Sequence, residues 1–150
     1  MGVKEKYSHN SAEVLLQESG NYFTEIISLL QPIKLVDRKA RVVNSEIRNA
    51  FELADWATEE QVINNSQYRY DAYKDEVAVE VELSLHAYTY RDYFKFLLGL
   101  QIGKVEIGIL IVRHESAQTD PAQVTFNRVV RDLGIFTRII NIPILVLGIS

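Results

Sequence analysis

No cysteine occurs among the 150 residues, which excludes disulfides and thiolate zinc sites. The first ten residues are polar and charged and carry no signal-peptide pattern. The longest apolar run, residues 139–149, is interrupted by Asn141 and Pro143 and is too short to span a bilayer. No internal repeat, low-complexity tract or linker-like stretch breaks the chain. These absences lead to the expectation of a cytoplasmic protein without membrane contact. A basic surplus is also missing: 20 acidic residues against 16 basic ones leave a net charge of −4. On total charge this tells against a nucleic-acid binder. The local field over a binding face decides that question, however, and acidic catalytic groups lower the total.

The composition present, 47% hydrophobic and 24% charged, suits one folded domain over residues 1–150 with a substantial core. Residues 11–31 read as helical, with a break at Gly20-Asn21 and a stop at Pro32. Val43, Ile47, Ala50, Phe51 and Ala54 fall at helical spacing, predicting an amphipathic helix over roughly residues 38–56, followed by a loop rich in Glu, Asn and Ser. From Gln67 the period becomes two, and residues 67–74 and 76–83 are expected as adjacent strands joined by a tight turn at Lys74-Asp75. Residues 88–101 return to helix with an apolar stripe of Tyr90, Phe94, Leu97 and Leu98. Residues 104–112 are dense in Ile and Val, as in a central strand. Asp120-Pro121-Ala122-Gln123 has the signature of a helix start, with Ala122, Phe126, Val129, Val130 and Leu133 buried behind it and Gly134 just past the end. Residues 142–149 close as a buried strand. The order predicts an α/β fold, a mixed sheet flanked by helices on both faces.

One segment carries chemistry. Val77, Val79, Val81 and Leu83 alternate onto one strand face, which sends Glu80 and Glu82 together onto the other. The preceding strand can bring Asp71 beside them. Two full negative charges 4 Å apart repel by about 4 kcal/mol at an effective dielectric near 20. Such a group therefore takes up a proton or a cation. Oxygen ligands without sulfur select Mg²⁺, Mn²⁺ or Ca²⁺ over zinc. On spacing alone, a solvated acidic strand face paired with Lys or Arg is the commoner outcome, and Glu-x-Glu is weak by itself.

The same stretch resembles the PD-(D/E)xK nucleases, and specifically the BglII-type branch of the type II restriction endonucleases. Their pattern places an Asp on one strand and Glu-x-Gln or Glu-x-Glu on the next, matched here by Asp71 and Glu80-Val81-Glu82. The surroundings are similar as well: Ser84, the Tyr90–Phe96 stretch, residues 104–112, the closing run 142–149, and the opening Tyr7-Ser8-His9-Asn10. The resemblance implies a restriction-endonuclease-like fold and Mg²⁺-dependent hydrolysis of double-stranded DNA by a homodimer. A companion DNA methyltransferase is a further partner of such a system. Asp71, Glu80 and the Val81 carbonyl would hold the metal. Glu82, where the commoner motif has lysine, would orient or deprotonate the attacking water, and Glu46 is a candidate extra acid from the first core helix.

Ser84 and His86 follow the acidic strand closely and are candidate DNA contacts. So are Arg113, Ser116, Gln118 and Thr119, in a polar loop of the kind that enters the major groove in the resembled family. That loop suits a plain solvated connection as well. His9, His86 and His114 lack metal-site spacing. Two other function classes compete: a catalytically silent DNA-binding or regulatory relative, and a protein-interaction module whose carboxylates are surface decoration.

Overall fold

A computed structural model describes residues 2–150. Six strands form one sheet: β1 (Val3–His9), β2 (Ala57–Gln61), β3 (Arg69–Lys74), β4 (Val77–Glu82), β5 (Ile107–Arg113) and β6 (Ile144–Ile149), in the spatial order β1-β6-β5-β4-β3-β2. β4, β5 and β6 run parallel, whereas β1, β3 and β2 are antiparallel to their neighbours. Every residue of β4, β5 and β6 is buried, as expected where helices cover both faces.

One face packs against α1 (Ala12–Glu18), α2 (Tyr22–Leu30) and α3 (Ala40–Leu53), through Leu16, Ile26, Leu30, Val43, Ile47 and Phe51. The other packs against α4 (Thr89–Gln101) and α5 (Phe126–Ile135), through Tyr93, Phe96, Phe126, Val129 and Leu133. The expected break between the first two helices lies at Gly20 and Asn21, both at positive φ, where glycine and asparagine are the residues least strained. Gly108 in β5 permits a close approach on the second face: a Cβ there would stand 2.8 Å from the Phe96 ring. Among the described residues no helix is long and apolar enough to cross a membrane.

Four features depart from the sequence expectations. The sequence pattern predicts no element over β1 and a loop over β2. Both are outer strands rich in charge, so neither shows the apolar alternation of a half-covered strand. Of the stripe Tyr90, Phe94, Leu97 and Leu98, only Leu97 and Leu98 pack partly against the core; Phe94 is 69% exposed, and the inner side of α4 carries Asp92, Tyr93 and Phe96. Both sides of this helix are apolar, and periodicity selected the greasier one. Finally, α5 begins at Phe126, not at Asp120. Asp120 Oδ1 does accept from the Ala122 amide at 2.7 Å, but residues 122–124 are drawn into strand-like pairing with residues 84–86, leaving Ala122 exposed. Gly134 lies within the helix, which is capped by Phe136.

Candidate active site

β3 and β4 are joined by a two-residue turn whose central residues, Asp75 and Glu76, both have positive φ, the mirror-image geometry that matches strand twist. Their register runs through Lys74–Val77 to Ala72–Val79 and stops there. At the next position the Asp71 side chain replaces the backbone: the Val81 amide donates to Asp71 Oδ2 at 2.8 Å. In a strand the N–H and C=O of one residue point to the same edge. The Val81 carbonyl therefore faces the gap that Asp71 occupies.

Glu80 and Glu82 extend onto the α4 side of the sheet and are only 3% and 7% exposed, so this is a roofed site and not a solvated strand face. The Lys95 ammonium, from the inner side of α4, lies 2.5 Å from Glu80 Oε1, 3.4 Å from Asp92 Oδ1 and 3.0 Å from the Arg69 carbonyl. Its approach to Glu80 Oε1 lacks hydrogen-bond alignment, and that buried oxygen has no directed donor. Burial and the charges of Asp92 and Asp71 push the Glu80 carboxyl well above the usual range, against the pull of Lys95. Burial likewise pushes Asp92 up to about 7, with Lys95 opposing and Glu82 and Asp71 adding to the rise. Lys95 is raised in turn: the desolvation that would lower it is outweighed by Glu80 and Asp92.

The expected trio is thus only partly assembled. Asp71 and Glu80 are within electrostatic reach of each other, whereas Glu82 Oε1 turns back to accept from the Ser84 amide at 2.9 Å and the Ser84 hydroxyl at 2.7 Å. Among the described residues, no three Asp, Glu or His side chains meet as a ready metal cluster. The donors nevertheless fit a hard divalent ion. Glu80 Oε1 is buried with only the Lys95 ammonium beside it, Asp71 Oδ1 is held only by a 3.5 Å contact with Arg48, and the Val81 carbonyl supplies a third oxygen facing the same gap.

Several participants were not foreseen. Arg48 on α3 reaches Asp71 and, at 3.0 Å, Glu59. Asp92 and Lys95, an i, i+3 pair, come from α4. The one local signal was a charged pair recurring at helical spacing within an aromatic helix. Over Asp71 opens a polar cleft of about 390 Å³, lined by Arg48, Arg69, Arg91 and Lys95 among others. A chain of net charge −4 therefore presents four cations, beside Glu59, at the mouth over Asp71.

The remaining candidates divide. Glu46 is not at the site but pairs with Arg38 at 2.5 Å, because it projects from a different side of α3 than Arg48. His86 and Arg113 are buried and engaged internally rather than open to DNA. His86 Nε2 pairs with Asp132 at 2.7 Å, and Arg113 donates to the Ala117 and Leu83 carbonyls at 2.7 and 2.8 Å, bracing the loops after β4 and β5. Ser84, Ser116, Gln118 and Thr119 are exposed. Ser84 and Thr119 line a second cleft, of about 350 Å³, with Arg38, Lys39 and Gln123.

The family model described as "Restriction endonuclease BglII/BglIII" matches residues 4–149. No curated protein matches the chain. Among solved structures, restriction endonuclease BglII complexed with a DNA 16-mer superposes with a TM-score of 0.86 at 14% identity, covering 97% of this chain and 77% of that one. Free BglII gives 0.76 at 15% identity, covering 97% and 78%. The fold is shared even at this identity, and the strand pair carrying Asp71 and Glu80 lies within the matched residues. The chain therefore belongs to the BglII/BglIII restriction endonuclease family, among the type II site-specific deoxyribonucleases.

Proposed function

We propose that this protein hydrolyses phosphodiester bonds of double-stranded DNA with Mg²⁺, as a homodimer. The observation that carries the reading is the polar cleft, where Arg48, Arg69, Arg91 and Lys95 surround an opening onto Asp71. Cations at the rim suit the phosphate backbone, and buried carboxylates within suit a divalent ion. Asp71, Glu80 and the Val81 carbonyl would hold Mg²⁺. When bound, the ion polarises the phosphate, lowers the pKa of a bound water and neutralises the leaving oxygen. Glu82, steadied by Ser84, orients the attacking water or accepts its proton. In-line attack leaves 5′-phosphate and 3′-hydroxyl ends. Ser84, Ser116, Gln118 and Thr119, exposed beside the second cleft, are the candidates for DNA contact. A methyltransferase of matching specificity would protect the cell's own sites.

Dimerisation is supported by an apolar surface on the outer side of α4. Tyr90, Phe94, Leu97, Phe136 and Ile139 border a cleft of about 190 Å³, and Ile139 is 65% exposed. A two-fold pair would place one site on each strand of a palindrome.

Plasmids of varied sequence incubated with protein and Mg²⁺ test the reading. Wild type is expected to cut, and Asp71→Asn and Glu80→Gln to lower the rate by about 10²-fold or more while remaining folded by circular dichroism. Wild type and both variants leaving all DNA equally intact overturns the enzyme reading. Duplex binding without cleavage in Mg²⁺ or Mn²⁺ identifies a silent DNA-binding relative instead.

A further inference from the structure

Lys95 is the only cation in contact with Glu80 among the described residues, and the strand itself supplies none, since Glu82 stands where the commoner motif carries lysine. Its ammonium has three donors, and three oxygens surround it: Glu80 Oε1 at 2.5 Å, Asp92 Oδ1 at 3.4 Å and the Arg69 carbonyl at 3.0 Å. These belong to β4, to α4 itself and to β3, so the lysine ties the helix to both strands of the site. It also borders the polar cleft, one side of which is open to solvent. A bridge needed only for stability is poorly served by a buried charge, because desolvation offsets most of the attraction. The oxygen it neutralises, Glu80 Oε1, is the one the fit to a divalent ion requires.

We propose that Lys95 is an exchangeable internal counter-ion. In the metal-free protein it holds Glu80. When a divalent ion takes Glu80 Oε1, the ammonium stays tethered by Asp92 and turns into the cleft to meet a non-bridging oxygen of the DNA phosphate. This rests on the nuclease reading of the same site, and it has Lys95 supply from α4 the positive charge that a carboxylate at Glu82 cannot. No bond is made or broken in the exchange; one cation replaces another at one oxygen.

Calorimetry with Mn²⁺ alone, without DNA, tests the exchange. Lys95→Met is expected to bind Mn²⁺ roughly tenfold or more tightly than wild type, because a like charge beside the ligand is gone. Lys95→Arg is expected to bind no more tightly than wild type. Single-turnover cleavage at saturating Mn²⁺ tests the second half: Lys95→Met slows by about 10²-fold despite its tighter metal, and Lys95→Arg recovers part of the rate. Equal or weaker Mn²⁺ binding by folded Lys95→Met overturns the proposal, while wild-type cleavage leaves the nuclease reading standing. Tighter Mn²⁺ binding by Lys95→Met in a protein that cuts no DNA supports the counter-ion and removes the nuclease reading. Tighter binding with unchanged cleavage overturns the phosphate contact. Should Lys95→Met not fold, the ¹⁵N resonance of the Lys95 ammonium in wild type carries the test. Mg²⁺ is expected to shift it, and an unmoved resonance in Mg²⁺-loaded protein overturns the exchange.

Discussion

A carboxyl group buried beside other carboxylates keeps its proton far longer than one in water, and Asp92 is the measurable instance. Its pKa is raised from 3.8 to about 7, by burial first and by Glu82 and Asp71 beyond that, with Lys95 and Arg91 opposing. A pKa higher in the folded than in the unfolded state means the folded protein binds more protons. The associated stability is complete below about 4 and is lost as pH rises through about 7. For an isolated group such a shift corresponds to about 4 kcal/mol at 1.36 kcal/mol per unit. Sharing of charge with Lys95 and Glu80 reduces the measurable part. Urea unfolding of metal-free protein at pH 5 and pH 8 is expected to show Asp92→Asn gaining on wild type by at least about 1 kcal/mol at the higher pH. A difference independent of pH would mean Asp92 is charged throughout. At this scale strand alternation accounts for Glu80 and Glu82 sharing one face of β4 and the short hairpin for Asp71 meeting the Val81 amide, but neither indicates that Glu82 turns back to Ser84. The sequence did not disclose Arg48, Asp92 or Lys95. Each reaches the site from a helix on one or other side of the sheet, and their proximity to β4 exists only after the layers pack.

The turn between β3 and β4 positions the site and is built from unfavourable residues. Asp75 and Glu76 have φ of 47° and 67°, a region costing roughly 1–2 kcal/mol for a residue with a side chain, and less for Asp than for Glu. Glu76→Gly creates Asp-Gly, the favoured pair for this hairpin. It is expected to raise the unfolding midpoint, by about 0.5–1 kcal/mol after the added entropy of glycine is counted. A drop in thermal stability would show that Glu76 makes a compensating contact. Elements were legible where apolar periodicity and covering agreed: α3, β4, β5 and β6 lie within a few residues of expectation. They were illegible at the sheet margins, where charged β1 and β2 pair through backbone atoms that no side-chain pattern records. The start of α5 was misread because Asp120 caps a single turn whose continuation is prevented by pairing of Gln123 with Leu85.

For the whole molecule the question is what covers the outer side of α4. Phe94 and Ile139, 69% and 65% exposed, border one apolar cleft on that side, the kind of surface that marks an interaction site. Phe94→Asp is expected to convert a dimer to a monomer in sedimentation, with the far-ultraviolet spectrum unchanged, since Phe94 contributes little to the core. A wild-type monomer at micromolar concentration would exclude this face as a self-association surface. The placement of these residues has a consequence for the chemistry beneath them. Asp92 and Lys95 project inward from α4 while Phe94 projects outward, so one helix of thirteen residues carries the ammonium on one side and an exposed aromatic ring on the other. In the proposed dimer, a subunit seated on Phe94 would bear on the same helix that holds Lys95 beside Glu80. If both proposals hold, pairing and ion capture share that one helix, and diluting the protein until its subunits part is expected to alter how firmly it grips a divalent ion.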